Sequence, residues 1–586
     1  MDSIPRFIAA AATGFAVAAS GCALTPSAGP AQPQPAPTEY PQQDAPVVVE
    51  NVPEQPLQSD RARAQYHILA GELAAGRGEP QMAAREFLAA LQTVDDTELA
   101  QRAAALALAA RDETLSLAAA QRWLELEPES ADPREIIAGL SLRRGDLTTT
   151  LEQARALVRG HPGGIADGFL HVAQVLTQVG QDRADGALSV IQQLVAEWPE
   201  TAGAHHALGV VALHFQRTDL AEAAVLKAQS LEPDSRDHAL LLVGVWVQQG
   251  RIAEADARVA ELAGPGTDAV DLRMSYAKLL LKNGQREAAR RQLELALQLD
   301  GKRTDARYAL GVLAFDDGNH ETAIRYLQPL LDGPRAEDAA LQLGRIAEAQ
   351  QRYADALEYY ARIAHGPAAL DAATRRAHVL ARMGRLDDAR QLMQQLRDSF
   401  PQLAVQFYLA EGEMLINTGH NQAALELYSN ALTTDGDNVD LLYGRSLAYE
   451  RLRELELAEH DLRRILEQQP QDARTLNALG YMLVVHTDRL EEAQDLIARA
   501  IRLEPDDAAI IDSMGWLQYK LGRPREALAW LKKAYAQLPD PEVAAHLGEV
   551  LWVLDEREQA RSVWETALRN HPDHPVLLET MRRLAP

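Results

Sequence analysis

The chain has 586 residues and a formal net charge of -26, from 58 Lys and Arg against 84 Asp and Glu. This acidity argues against binding to nucleic acid or to anionic membrane surfaces, because Lys and Arg dominate binding to both. The single cysteine excludes a disulfide framework, a CxxC redox pair and a multi-thiolate metal site. At about 150 residues per compact domain the length favours about four domains, unless the chain is an array of repeats that pack only on their neighbours.

Residues 1–21 are typical of a secretory signal peptide. The apolar run Phe7–Ala19 is too short to span a bilayer as a helix. The sequence ASGC at 19–22 resembles the lipobox of bacterial lipoproteins, although an alanine stands where Leu, Val or Ile is more usual. The resemblance implies that Cys22 is lipidated and becomes the N-terminus, and Ala23 after it favours sorting to the outer membrane. The alternative is an ordinary signal peptide with an incidental cysteine.

We expect residues 22–60 to form a disordered, proline-rich tether that begins with the lipidated cysteine. Nine prolines lie between Ala23 and Asp60, and they forbid a regular helix and favour extended chain. At ~3.1 Å per residue, such a tether could reach about 120 Å. Val47–Val49 is its only apolar run. We expect this run either to be plain linker or to dock on the folded body.

From residue 61 to residue 574 the sequence repeats with a period of about 34 residues. Proline closes many of the units, and glycines mark their first helices at Gly311, Gly344, Gly412, Gly480, Gly515 and Gly548. The pattern of small, apolar and proline positions resembles the tetratricopeptide repeat, a pair of amphipathic helices. The resemblance implies an all-α superhelical solenoid of about 15 helix-turn-helix units.

Three places depart from the regular period. Near residues 180–186 the spacing indicates a two-residue insertion, and the units near 98–131 and 165–201 match the pattern poorly. The Gly-Pro-Gly sequence at 264–266 predicts a bend in the array. Residues 575–586 predict a C-terminal capping helix whose outer face is polar.

Motifs for chemistry are missing from the sequence. It contains no GxxxxGK[ST], HExxH or GxSxG pattern. His205 and His206 are adjacent and would point about 100° apart on a helix, so we predict no metal site and no cofactor. A glycan hydrolase that uses Asp512 and Glu549 as its carboxylate pair is an alternative without a supporting motif. We therefore expect a protein that is not an enzyme.

The resemblance also implies a concave groove lined by the first helix of each unit. Aligning the units on their glycines gives the candidate partner-binding residues Tyr443, Asn477, Tyr481, Asp512, Trp516, Tyr519, Glu549 and Trp552. Aromatic anchors with polar neighbours are typical of protein-binding hot spots. The alternative is that these rings pack between successive first helices. Trp530 and Trp564 fall on second helices, where we expect core positions.

Segments 477–481, 487–493, 512–516 and 544–552 resemble the large proteobacterial tetratricopeptide lipoproteins, including LbcA-type adaptors of the periplasmic carboxyl-terminal processing protease. The resemblance implies a non-enzymatic scaffold on the outer membrane, facing the periplasm, that binds this protease and presents peptidoglycan hydrolases to it. Contact with the membrane would be through the N-terminal lipid only. The alternative is a scaffold for envelope assembly or export, serving exopolysaccharide, pilus or outer-membrane protein machinery.

Overall fold

A computed structural model describes residues 59–264, 266–366, 368–434, 436–572 and 574–585. The signal peptide, Cys22 and almost all of the tether lie outside the described residues, as does Pro265 in the predicted bend. The lipid anchor and the bend therefore stay predictions. The chain divides into two units, Met1–Leu313 and Ala314–Pro586, and each is described separately below.

The described part of unit 1 consists of helices in pairs, in which an odd-numbered first helix is followed by an even-numbered second helix. The helices are α1 Asp60–Gly76, α2 Pro80–Ala90, α3 Thr97–Ala109, α4 Glu113–Leu126, α5 Ala131–Arg144, α6 Leu147–Gly160, α7 Ile165–Leu176, α8 Ala184–Glu197, α9 Ala202–His214, α10 Thr218–Leu231, α11 Arg236–Gln248, α12 Ile252–Leu262, α13 Thr267–Lys282, α14 Arg286–Leu299 and α15 Thr304–Asp316, which crosses into unit 2. A 3₁₀ turn, Gln181–Arg183, joins α7 to α8 where the sequence indicates an insertion.

Unit 2 continues the same alternation to the end of the chain. Its helices are α16 His320–Leu327, α17 Ala336–Ala349, α18 Tyr353–Ala361, α19 Ala368–Arg382, α20 Leu386–Ser399, α21 Ala404–Asn417, α22 Asn421–Leu432, α23 Val439–Arg451, α24 Leu455–Gln468, α25 Ala473–His486, α26 Leu490–Leu503, α27 Ala508–Lys520, α28 Pro524–Gln537, α29 Pro541–Val553, α30 Arg557–Asn570 and α31 Pro575–Leu584. Over the described residues of both units this makes fifteen pairs and a final helix. The predicted all-α fold of about 15 helix-turn-helix units is confirmed.

The pair α27–α28 shows why this sequence folds as two short helices with a tight turn. The Asp507 side chain accepts a hydrogen bond from the Ile510 amide at 2.9 Å and so caps the start of α27. Gly522 has φ 76°, a left-handed conformation that ends the first helix at little steric cost. Pro524 then opens α28 at a position that needs no amide donor.

Glycines in the first helices let the second helix of the same pair approach closely. A Cβ added to Gly515 would lie 2.7 Å from Cγ of Leu531, and one added to Gly548 would overlap the Trp564 indole. Each partner lies 16 residues after its glycine. The same spacing joins Gly71 to Phe87, Gly209 to Val225, Gly344 to Tyr360 and Gly412 to Tyr428. In these repeats, a large side chain of the second helix therefore packs against a glycine of the first helix.

Stacking of the pairs follows chain order within each unit. In unit 2, second helices pack on the next first helix, and the first helices α25, α27 and α29 also contact one another in succession. The last helix, α31, packs on α29 and buries Leu577 completely. None of the helices that the structure describes combines the length and apolarity needed to cross a bilayer.

Candidate protein-binding face

A buried polar cluster joins three successive first helices of unit 2. His546 on α29 donates from Nδ1 to the Asp512 carboxylate on α27, at 2.9 Å from Oδ2. Its other nitrogen, Nε2, accepts from the Tyr481 hydroxyl of α25 at 3.4 Å. The Trp516 ring stacks on the imidazole, with centroids 4.1 Å apart. The structure thus brings three of the candidate residues together around a histidine that the sequence alignment did not select.

Burial decides what this cluster can do. Asp512, Trp516 and His546 are only 6–8% exposed, so a partner protein has little access to them. Burial raises the pKa of the Tyr481 hydroxyl, so the phenol keeps its proton and remains a hydrogen-bond donor. The alternative that these groups pack between successive first helices therefore describes the geometry of this cluster.

A second cluster ties the last helix to the two preceding first helices. The Glu549 carboxylate on α29 accepts from the Tyr519 hydroxyl at 3.1 Å and from Arg583 of α31 at 2.5 Å. Glu549 is 5% exposed. Burial, helped by that carboxylate, raises the pKa of Tyr519 to about 12. Tyr519 and Glu549 thus hold the C-terminal cap in place.

The remaining candidate residues lie apart from these clusters. The Arg474 guanidinium lies over the Tyr443 ring, 4.2 Å from its centroid. Oδ1 of Asn477 is buried without a hydrogen-bond partner among the described residues. Trp552 lies against the second helix α30, where it stacks on Trp564 with centroids 5.8 Å apart. Trp564 is fully buried, as expected for a core residue, and Trp530 is half-buried.

Exposed side chains lie one helical turn beyond four of the candidate residues. Residues four apart share a helix face, so the pairs Tyr443–Leu447, Tyr481–Val485, Trp516–Lys520 and Glu549–Val553 each place an exposed residue beside a candidate residue. The exposed fractions are 36% for Leu447, 39% for Val485 and 50% for Val553. We call Leu447, Val485, Lys520 and Val553 the first-helix face. Sequence reasoning missed these four residues because their depth depends on neighbouring side chains.

The two carboxylates of the hydrolase alternative are engaged within the protein. Both are buried and accept hydrogen bonds within the protein, Asp512 from His546 and Glu549 from Tyr519 and Arg583. No group of three or more His, Cys, Asp or Glu residues with metal-binding geometry occurs in the part of the chain that the structure describes. What the region offers to another molecule is the mostly apolar first-helix face.

Comparison with known proteins identifies the repeat. Residues 172–233, 277–332, 374–439, 409–473 and 443–508 match the family profile described as tetratricopeptide repeat. The chain is a tetratricopeptide-repeat protein. The matched segments fall in both units and include the first helices α23 and α25, which carry Tyr443 and Tyr481.

Two curated relatives cover parts of the chain. The TPR repeat-containing protein PA4667 of Pseudomonas aeruginosa is 42% identical over 170 residues, which is 29% of each chain. The human protein O-mannosyl-transferase TMTC3 is 30% identical over 198 residues, 33% of this chain and 22% of that protein. The chain thus spans less than a third of the length of either relative.

Two solved structures align with the chain at low TM-scores. Yeast Tom70 covers 89% of this chain and all of its own, at 13% identity and a TM-score of 0.32. The Thermus thermophilus protein TTC0263 covers 31% of this chain, at 24% identity and a TM-score of 0.28.

Proposed function

We propose that this tetratricopeptide-repeat protein is a non-enzymatic scaffold that brings a periplasmic carboxyl-terminal processing protease to peptidoglycan hydrolases, while a lipid on Cys22 anchors it to the outer membrane. The observation that carries the scaffold role is the first-helix face, because three first helices, α23, α25 and α29, each present an exposed apolar side chain, and Val485 and Val553 occupy equivalent positions five residues after the repeat glycine. The protease and its substrates enter the proposal through the resemblance of segments 477–481, 487–493, 512–516 and 544–552 to adaptors of that kind.

The physical mechanism of such a scaffold is proximity. Two proteins held on one chain meet at an effective concentration set by their spacing, and this reaches the millimolar range for short connections. The scaffold then needs no reactive group of its own. The two buried clusters contribute by fixing α25, α27, α29 and α31 relative to one another, so the part of the first-helix face on α25, α27 and α29 is held rigid before a partner arrives. Rigidity before binding lowers the entropic cost of association.

Partner capture tests the function. Residues 23–586 are immobilised, an envelope extract of the source organism is passed over them, and bound proteins are identified by mass spectrometry. We expect a carboxyl-terminal processing protease together with cell-wall hydrolases. Recovery of exopolysaccharide, pilus or outer-membrane protein machinery instead would keep the scaffold and replace its proposed purpose.

Fractionation of cells tests the anchor separately. Cys22→Ser removes the only thiol that could be acylated. We expect the variant to leave the membrane fraction, because a chain without lipid has only the weak surface affinity of an acidic protein. A Cys22→Ser protein that still sediments with the outer membrane would contradict lipidation at this residue.

A further inference from the structure

The first helix of unit 1 carries an apolar stripe that no described element covers. Tyr66, Leu69 and Leu73 are 58%, 64% and 63% exposed, more than any other large apolar side chain of the described chain. Their spacing of three and four residues places them on one side of α1. The opposite side carries Ala64, Gly71 and Ala74, which are buried, with Gly71 lying against the Phe87 ring of α2. We call Tyr66, Leu69 and Leu73 the α1 stripe.

The two ends of the array therefore differ. At the C-terminal end, α31 covers the preceding first helix, α29, and its exposed residues include Arg582. At α1 the surface is apolar, although terminal repeats ordinarily turn a polar face to solvent. Large exposed apolar patches on a folded protein mark sites of contact. An apolar stripe of this kind is expected to be covered by another segment or another molecule.

The residues just before α1 have a charge and an apolar content that fit the α1 stripe. Arg63 and Arg77 flank the stripe on one side, at 100° per residue around the helix. Arg63 pairs with Asp60 of the same helix, whereas Arg77 has no ion-pair partner among the described residues. Residues 44–58 contain Asp44, Glu50 and Glu54 and no Lys or Arg, and they include the tether's only run of three valines. An acidic, valine-rich segment complements an apolar stripe with a basic edge.

The connection is long enough for this segment to fold back. Val49 and Ser59 are separated by 10 residues, which in extended chain at ~3.1 Å per residue span about 30 Å. The distance along α1 from Ser59 to Leu69 is about 15 Å at 1.5 Å per residue. We propose that Val47–Val49 of the same chain docks on the α1 stripe, which would tie the end of the tether to unit 1.

Disulfide trapping tests the docking in the full chain. On a Cys22→Ser background, Val48→Cys is combined with Leu69→Cys, and the matched control combines Val48→Cys with Met82→Cys, because Met82 lies on the adjacent helix α2, within similar reach of the tether, and is also exposed, at 55%. Under mild oxidation we expect an intramolecular disulfide in the first protein to form at least about ten-fold faster than in the control, since docking raises the effective thiol concentration. Adding Arg77→Glu should slow the first reaction and leave the control unchanged.

Two results would overturn the proposal. Equal rates in the two proteins would mean that the segment does not visit the stripe. Rapid formation of disulfide-linked dimers by the protein that carries Leu69→Cys as its only cysteine would mean that a second copy of the chain occupies it. The substituted positions that lie within the described residues are exposed, so unchanged helical circular dichroism is expected and shows that the proteins compared are folded.

Discussion

Acidification is expected to weaken unit 1 through a buried pair of histidines. His206 on α9 and His238 on α11 lie on successive first helices with their Nδ1 atoms 2.8 Å apart, and both are 5% exposed. One nitrogen must donate and the other accept, so the contact requires at least one unprotonated ring. A second proton would place two positive charges side by side in the core.

The size of the effect follows from the shift at His206. Burial, together with the charge of His238, lowers the pKa of His206 from 6.5 to about 4. Burial also lowers the pKa of His238, opposed by Glu232 and Asp237. A shift of this size at His206 corresponds to about 3 kcal/mol of unfolding free energy. The unfolded chain takes up the proton first, so this stability is complete above pH 6.5 and is lost progressively as the pH falls towards 4.

Hydrogen exchange measures this loss locally. Opening free energies of α9 and α11 are followed from pH 7.5 to 4.5 in the wild type and in a His206→Leu, His238→Leu double variant, which has no titrating group at the contact. We expect the decline below pH 6.5 to be smaller by about 3 kcal/mol in the double variant. The control is His205→Gln, which alters the adjacent histidine and should keep the wild-type decline. Identical pH profiles for the double variant and the wild type would refute the reasoning.

Two further substitutions test the packing and the buried charges of unit 2. Gly548→Ala should destabilise α29 and α30 by about 1–3 kcal/mol, because the new Cβ meets an indole ring, whereas Gly160→Ala, with open space around it, should be neutral within error in the same proteolysis assay. Arg397→Leu should cost about 3–5 kcal/mol in urea unfolding, because Glu411 is 1% exposed and Arg397 is its buried partner. Arg390→Leu removes a partner that is 40% exposed and should cost under about 1 kcal/mol; equal losses for the two arginines would contradict this account.

The fold could be predicted from the sequence because the period is a consequence of packing. A glycine accepts a large residue 16 positions later, and residues about 34 apart lie on successive first helices. Asp512 and His546 are separated by 34 residues, so their contact could have been read from the period. His546 was missed because it lies two residues before Gly548, away from the positions used to define the groove.

The accessibility of the candidate site could not be predicted in the same way. Trp516 and Val553 lie on the same face of their first helices, one and five residues after the repeat glycine, yet Trp516 is 8% exposed and Val553 is 50% exposed. The difference arises because His546 stacks on the indole and Lys520 extends over it, with Nζ 5.0 Å from the ring centroid. Such depth depends on the volumes and rotamers of several side chains at once, which one sequence does not fix.

The scaffold role is tested most directly by introducing negative charges into the first-helix face and measuring how much partner protein is captured. One variant carries Leu447→Asp, Val485→Asp and Val553→Asp. The matched control carries the same change at three positions of similar exposure, 42–46%, namely Leu457 and Leu503 on second helices and Leu538 directly after one. We expect the first variant to capture at least about ten-fold less partner than the wild type, while the control captures as much as the wild type. Equal capture by the two variants would contradict binding through the first-helix face.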